Sequence, residues 1–357
     1  MLREAPGPGS REPPARGAGA LPWAQAGRGL APRGGCVVPW TQGAAAERAG
    51  LPGDGGVSVG RFFEGGAGGG EASVLTLPDL SGIRLLATDL DGTFLDAAGV
   101  PVRRSATAAR AARERGVHVV AATARGQRST RAISLASGLG PLAVCANGAV
   151  GLDLATGGLL WTRTIAQERF IDIMETLTTR DRGFKFAVET VAEFVAEAGF
   201  FPRVPEVLDA TQVIQRKALF DRDQVVKLVV RYPGMGSAEL AAMLGGLVGG
   251  EQVIPGSIDW VEVVARGVSK GLGVGMAADA LGVGTEQVAV VGDHLNDLPM
   301  FAVTKYSFAV GNGHAKALEM ARWVVGSNVE GGVGEVADRL GPSSAIPGWR
   351  EGSRRFL

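Results

Sequence analysis

Cysteine occurs only twice in the 357 residues, as Cys36 and Cys145, too few for a disulfide framework. Cys145 lies in an apolar run with no evident base beside it, so a reduced core thiol rather than a nucleophile is expected, and a reducing cytoplasm fits. Histidine is scarce too: His118, His294 and His314 show no metal-ligand spacing. Neither sign of charge is in excess, with 36 Lys plus Arg against 36 Asp plus Glu. That balance argues against a nucleic-acid partner and against an acidic solvating tail. No segment approaches the about 18 uninterrupted apolar residues of a membrane span, and the start lacks the basic-then-apolar order of a secretory signal, so no membrane association is expected. The glycine run at 65–70 lacks the Lys-Ser/Thr ending of a nucleotide loop and reads as linker. No internal repeat is present, and a small-molecule substrate becomes the default partner; oligomeric state is not legible.

What is there is enough apolar sequence, 46% of the chain, to fill about two domains. The first 80 residues hold 19 Gly and 9 Pro and are expected to be a disordered extension. An organelle transit peptide is disfavoured there, because Pro and Gly break the helix such a peptide needs. Activity is expected to survive deletion of residues 1–78. From residue 83 the pattern changes to short apolar strands alternating with helical stretches. Strands are expected over 83–88, 117–122, 142–146, 287–291 and 306–310, with a helix over about 105–115. Alternation of this kind implies a parallel sheet with right-handed crossovers, in which ligands bind beyond the carboxyl ends of the strands. Asp89, Asp91, Thr123, Asn147, Asp293 and Asn296 all fall at or just past such ends.

Between 166 and 262 the order differs. Phe170, Ile173, Met174 and Leu177 recur at helical spacing, strands are expected over 184–188, 225–230, 252–254 and 260–264, and Leu240, Met243, Leu244 and Leu247 share a helical face capped by Ser237. The expected architecture is α/β: a Rossmann-like parallel-sheet core over 81–165 and 263–341, an inserted α+β domain over 166–262, and a loose tail over 342–357.

Two carboxylates one residue apart at the end of a buried strand repel each other, and a hard cation relieves the repulsion. Magnesium prefers oxygen ligands and keeps several waters, so Asp89, the backbone carbonyl of Asp91 and Asp293 suffice to hold Mg2+. One Asp89 oxygen can then attack phosphorus, and Asp91 can serve as acid and base. Phosphoryl transfer depends on donors facing the phosphate oxygens; Thr123, the backbone amides of Leu90 and Ala124, and Lys270 are the candidates. Gly92 permits a tight turn and Thr93 steadies it. Asn147 and Asn296 are candidate substrate or phosphate contacts, and Asp297 is expected to orient metal waters or Lys270. Arg125 and Lys185 are read as solvated surface charges, and His294 as a loop residue.

These residues carry a resemblance. Asp89-Leu90-Asp91-Gly92-Thr93, Thr123-Ala124-Arg125, Asn147-Gly148-Ala149, Val268-Ser269-Lys270-Gly271 and Gly292-Asp293-His294-Leu295-Asn296-Asp297 resemble, in order, the motifs of the haloacid dehalogenase superfamily in its Cof-type branch with an α/β cap. The resemblance implies magnesium, an aspartyl nucleophile, a cap closing over small phosphorylated metabolites such as sugar phosphates or phosphorylated cofactors, and, through Asp91, phosphatase action. Ala124 departs from the family's usual glycine, and its methyl either crowds the phosphate pocket or is harmless, because the amide is what the chemistry uses. A phosphomutase and a phosphometabolite-binding regulator with weak turnover are the alternatives.

Overall fold

Five buried β-branched and alanine-rich runs form the middle of the molecule in the computed structural model, which describes residues 60–61, 74–75, 77–201, 212–256 and 259–341. The first is β1 (Leu85–Thr88), followed by α1 (Arg103–Glu114), β2 (His118–Ala122), α2 (Gln127–Ser137) and β3 (Leu142–Cys145). An antiparallel hairpin comes next, β4 (Val150–Asp153) and β5 (Leu159–Thr162). After an insertion the same layer resumes with α5 (Lys270–Leu281), β12 (Val288–Gly292), α6 (Leu298–Phe301), β13 (Tyr306–Val310), α7 (Ala315–Met320), β14 (Trp323–Val325) and α8 (Gly332–Ala337). The sheet order is β14-β13-β12-β1-β2-β3-β4-β5, with the first six strands parallel. Strands buried on both faces read as continuous apolar runs, and Leu85, Val120, Val144 and Val290 under one face and Leu86, Val119, Ala143 and Val291 under the other are fully buried.

The insertion runs from α3 (Gln167–Arg180) through β6 (Lys185–Thr190), β7 (Phe194–Glu197), β8 (Gln212–Ile214), β9 (Val225–Arg231), α4 (Ser237–Gly245), β10 (Gln252–Pro255) and β11 (Trp260–Val264). Its sheet, ordered β8-β7-β6-β9-β11-β10, is antiparallel apart from the β7–β8 pair. Phe170, Ile173, Met174 and Leu177 on α3 and Leu240 and Leu244 on α4 pack onto Phe186, Val188, Leu228, Val230, Val261 and Val263. Because strand side chains alternate, the opposite face carries Glu189, Lys227 and Glu262.

The fold class is as the sequence implies, with several adjustments. The last strand of the inserted sheet spans Trp260–Val264, as expected from the sequence. Helix α4 is capped by Gly236, and Ser237 is its first residue. Most of the extension over 1–80 and the tail over 342–357 lie outside the described residues. Within them, Gly60–Arg61 pairs with Val74–Leu75, and Leu80 is 1% exposed in the core, so the folded body begins before residue 81. Among the described residues no helix is long and apolar enough to cross a membrane.

Candidate active site

The strand ends of the large sheet bring together what the sequence separates by two hundred residues. Asp89 directly follows central strand β1, and its amide donates to the Val291 carbonyl of neighbouring β12 at 2.9 Å. Asp293 follows β12, and the Thr93 hydroxyl donates to its Oδ1 at 2.7 Å across the site. Thr93 therefore does more than steady the turn; Gly92, at φ 78°, provides the turn itself. Asp297 accepts from the backbone amides of Asp293 and His294 at 2.8 and 2.9 Å through one oxygen.

Lys270 opens α5, whose N-terminus is capped by the Ser269 hydroxyl accepting from the Leu272 amide at 3.1 Å. A side chain at Gly148 would meet the Ser269 carbonyl at 2.1 Å, so glycine is what lets the turn after β3 sit against the start of this helix. The result is a lysine 1% exposed whose Nζ lies 2.6 Å from both Asp89 Oδ1 and Asp297 Oδ1. Burial works against its charge, but Asp297 and Asp89 hold the ammonium above the ordinary lysine range. Burial drives the Asp89 carboxyl well above its usual range against the pull of Lys270, and Asp297, Asp293 and Asp91 push the same way as burial.

Oxygen atoms of Asp89, Asp293 and Asp297 lie within 4.8 Å of one another, so the first two can share an ion. Three buried carboxylates face one ammonium, a surplus of two negative charges that a dication cancels. All the donors are hard oxygens, as magnesium requires, and the residues fit such an ion. Asp297 is engaged on both oxygens by protein donors, which suits it to orienting Lys270 and the 293–294 backbone.

Asp91 points elsewhere. Its carboxylate forms a two-point contact with Arg125, at 2.7 Å to Nε and 2.5 Å to Nη2. Arg125 is thus no solvated surface charge; a fork of donors matched to a carboxylate holds the candidate acid/base in place. Thr123 is fully buried, and its hydroxyl accepts from the Arg125 amide at 3.1 Å. Leu90 follows Asp89, and its carbonyl caps the 93–95 turn. Ala124 does not have positive φ, so its methyl meets no backbone strain where the family has glycine. Asn147 does, at φ 55°, and its side chain spans to Glu262 at 2.5 Å and to Asn296 at 3.2 Å. Lys185, on β6, takes no part in the cluster. His294 and His314 meet edge to face at 5.4 Å, outside the carboxylate cluster.

Sequence reasoning missed Glu189, Lys227 and Glu262, which reach the core from the inserted domain. The one local signal was Lys227, a lone charge within the apolar run of β9.

The family model for haloacid dehalogenase-like hydrolases matches residues 86–336. A phosphoglycolate phosphatase from Halorubrum lacusprofundi is 40% identical over 101 residues, 28% of this chain and 43% of that protein. Another from Methanothrix thermoacetophila is 30% identical over 24% of this chain and 39% of its own length, so the chain spans less than half of these two relatives. A 5-amino-6-(5-phospho-D-ribitylamino)uracil phosphatase from Bacillus subtilis is 27% identical over 70% of this chain and 93% of that protein. Among solved structures, a haloacid dehalogenase-like hydrolase from Bacteroides thetaiotaomicron superposes with a TM-score of 0.62 at 21% identity, over 72% of this chain and 99% of the other. With the family model spanning residues 86–336, well over half of its length, the chain belongs to the haloacid dehalogenase-like hydrolase family.

Proposed function

We propose that the chain is a magnesium-dependent phosphatase that hydrolyses a small phosphorylated metabolite through a phospho-aspartyl intermediate on Asp89. The observation that carries this reading is the buried cluster of Asp89, Asp293, Asp297 and Lys270 at the strand ends, with a second carboxylate, Asp91, two residues from the first. Magnesium held by Asp89, Asp293 and the backbone carbonyl of Asp91 would neutralise the facing carboxylate and phosphate charges. Lys270 keeps Asp89 oriented through Oδ1. The carboxylate of Asp89 attacks phosphorus, the bond to the leaving oxygen breaks, and Asp91 protonates that oxygen. Asp91 then takes a proton from water, whose oxygen attacks phosphorus and frees Asp89 together with inorganic phosphate. The Thr123 hydroxyl and the amides of Leu90 and Ala124 are the proposed donors to the phosphate oxygens. Asn296 is the proposed orienter of phosphate, and Asn147, bonded to both Asn296 and Glu262, would carry the position of the cap to it.

The cap would contact the leaving group; the proposed substrate class is sugar phosphates or phosphorylated cofactors, and the activities of the relatives put phosphoglycolate and a phosphoribitylamino-uracil on the panel to be screened. The test is phosphate release from that panel with magnesium. Asp89→Asn is expected to abolish release while leaving circular dichroism and the unfolding midpoint intact; turnover surviving in this variant rejects the reading. Return of the phosphoryl group to substrate instead of water identifies a mutase.

A further inference from the structure

Lys227 is the one buried charge of its strand: it lies in β9, 4% exposed, among four valines and Leu228 that are all buried, while Arg231 at the strand end is half-buried. Each of its three N–H bonds has a defined acceptor. Two are carboxylates of the same cap sheet, Glu189 at 2.8 Å and Glu262 at 3.0 Å. The third is in the other domain, the carbonyl oxygen of Ala124 at 2.9 Å. Around this point the cap fits the core closely: a Cβ at Gly126 would stand 1.8 Å from the Glu189 carboxylate, and Glu262 also receives the Asn147 amide at 2.5 Å. Burial opposes the charge, while Glu189 and Glu262 hold the ammonium above the ordinary lysine range.

The Ala124 carbonyl and the Arg125 N–H belong to one planar trans peptide and point in opposite directions. Fixing the carbonyl toward Lys227 therefore fixes the N–H toward the Thr123 hydroxyl, which accepts it at 3.1 Å. With one lone pair of Thr123 so occupied, its own hydrogen is left for a phosphate oxygen, and a chain of hydrogen bonds ending in a charged donor polarises each link. The same turn carries Arg125, which holds Asp91.

We propose that Lys227 is a positioning residue of the phosphatase, a cap-borne ammonium that sets the Thr123–Arg125 turn for phosphoryl transfer only when the cap is shut. The proposal rests on the phosphatase reading above. It makes the inserted domain part of the catalytic timing as well as of leaving-group recognition: an open cap leaves Thr123 and Arg125 unset. Since the bond is made only in the closed state, its loss falls on kcat more than on KM.

The test uses full-length protein with magnesium and p-nitrophenyl phosphate. Lys227→Met alone strands two buried carboxylates, so the decisive variant is Lys227→Met with Glu189→Gln, which keeps the local net charge. It is expected to lower kcat about 10- to 100-fold, with a smaller change in KM. In a Thr123→Val background the same pair of substitutions should cost clearly less than it does in the wild type, because the Thr123 arm is gone and only the Arg125 arm is left to lose. Losses that multiply in the two backgrounds, an unchanged kcat, or unfolding of the decisive variant while Glu189→Gln alone stays folded would each overturn the proposal in favour of simple cap packing. Wild-type protein that releases no phosphate from p-nitrophenyl phosphate or the metabolite panel rejects the phosphatase reading, and this proposal with it.

Discussion

Two surplus negative charges in a site sealed from water are costly, and the residues around Asp89 tell where compensation comes from. Lys270 pairs with Asp89 and Asp297, and a dication held by the carboxylate cluster would offset the rest of its negative charge. Magnesium should therefore stabilise the fold as well as support turnover, because an ion that binds only the folded chain adds about 2.7 kcal/mol at a hundredfold excess over its Kd. Calorimetry with magnesium against chelator should show a higher unfolding temperature with the ion, and Asp293→Asn should shrink that difference. An unfolding temperature indifferent to magnesium in the wild-type chain argues against the ion. A contrasting expectation concerns Cys145, fully buried, whose thiol burial pushes up to about 12. Peptide mapping after iodoacetamide should find Cys145 unmodified in the native protein and alkylated in urea. Fast native labelling at that residue would mean that the core opens far more readily than its packing implies.

Among the elements, legibility followed locality. The central strands β1, β2, β3, β12 and β13 stood out because each is a compact apolar run ended by its own polar signal, and their bounds moved by only a residue or two. The β4–β5 hairpin did not stand out: its second strand exposes Leu159 and Leu160 and shows no alternation, so it is a strand by virtue of pairing alone. The site divides the same way. Asp89, Asp293 and Lys270 sit in short motifs that carry their own turn and cap residues. Glu189, Lys227 and Glu262 are isolated charges within three otherwise apolar strand interiors, and only the register of β6 with β9 and of β9 with β11 puts them on one face. Arg125 was misjudged for a related reason, since nothing near it in sequence shows that Asp91 will be its partner. Helix α3 gives this element scale a test of packing. Phe170 is fully buried between the helix and the cap sheet, so Phe170→Ala should lower the unfolding free energy by about 3–5 kcal/mol. Urea unfolding measures it; a loss below about 1 kcal/mol would show that the cap core is looser than its burial suggests.

At the scale of the whole molecule, the question is how a phosphate ester reaches Asp89, which is 5% exposed with the cap in contact with the core. The domains are joined by two short segments, one leading from β5 into α3 and one from β11 to α5. Across the gap, Lys227 meets the Ala124 carbonyl, Glu262 meets Asn147, and the Gln127 amide donates to the Val191 carbonyl. Each such bond exchanges with water on opening, at a net cost of about 0.5–1.5 kcal/mol for a neutral pair and up to about 3 kcal/mol for a charged one. These bonds together oppose opening by a few kcal/mol, and Val226, Val191 and Ile254 of the cap add apolar contact with the core cluster. A ligand that fills the site favours the shut form by its differential contacts with the two, since the cap can touch it only when closed. Magnesium with orthovanadate, a phosphate mimic that reaches Asp89 and Thr123 together, should therefore lower the radius of gyration in solution scattering and slow proteolysis at the two connecting segments. Lys227→Met with Glu189→Gln, lacking one of the three ties, should start from a larger radius and need more vanadate to reach the same compact limit. Scattering curves that superpose with and without the mimic, in wild type and variant alike, would mean that the cap does not move and that substrate enters by some other route.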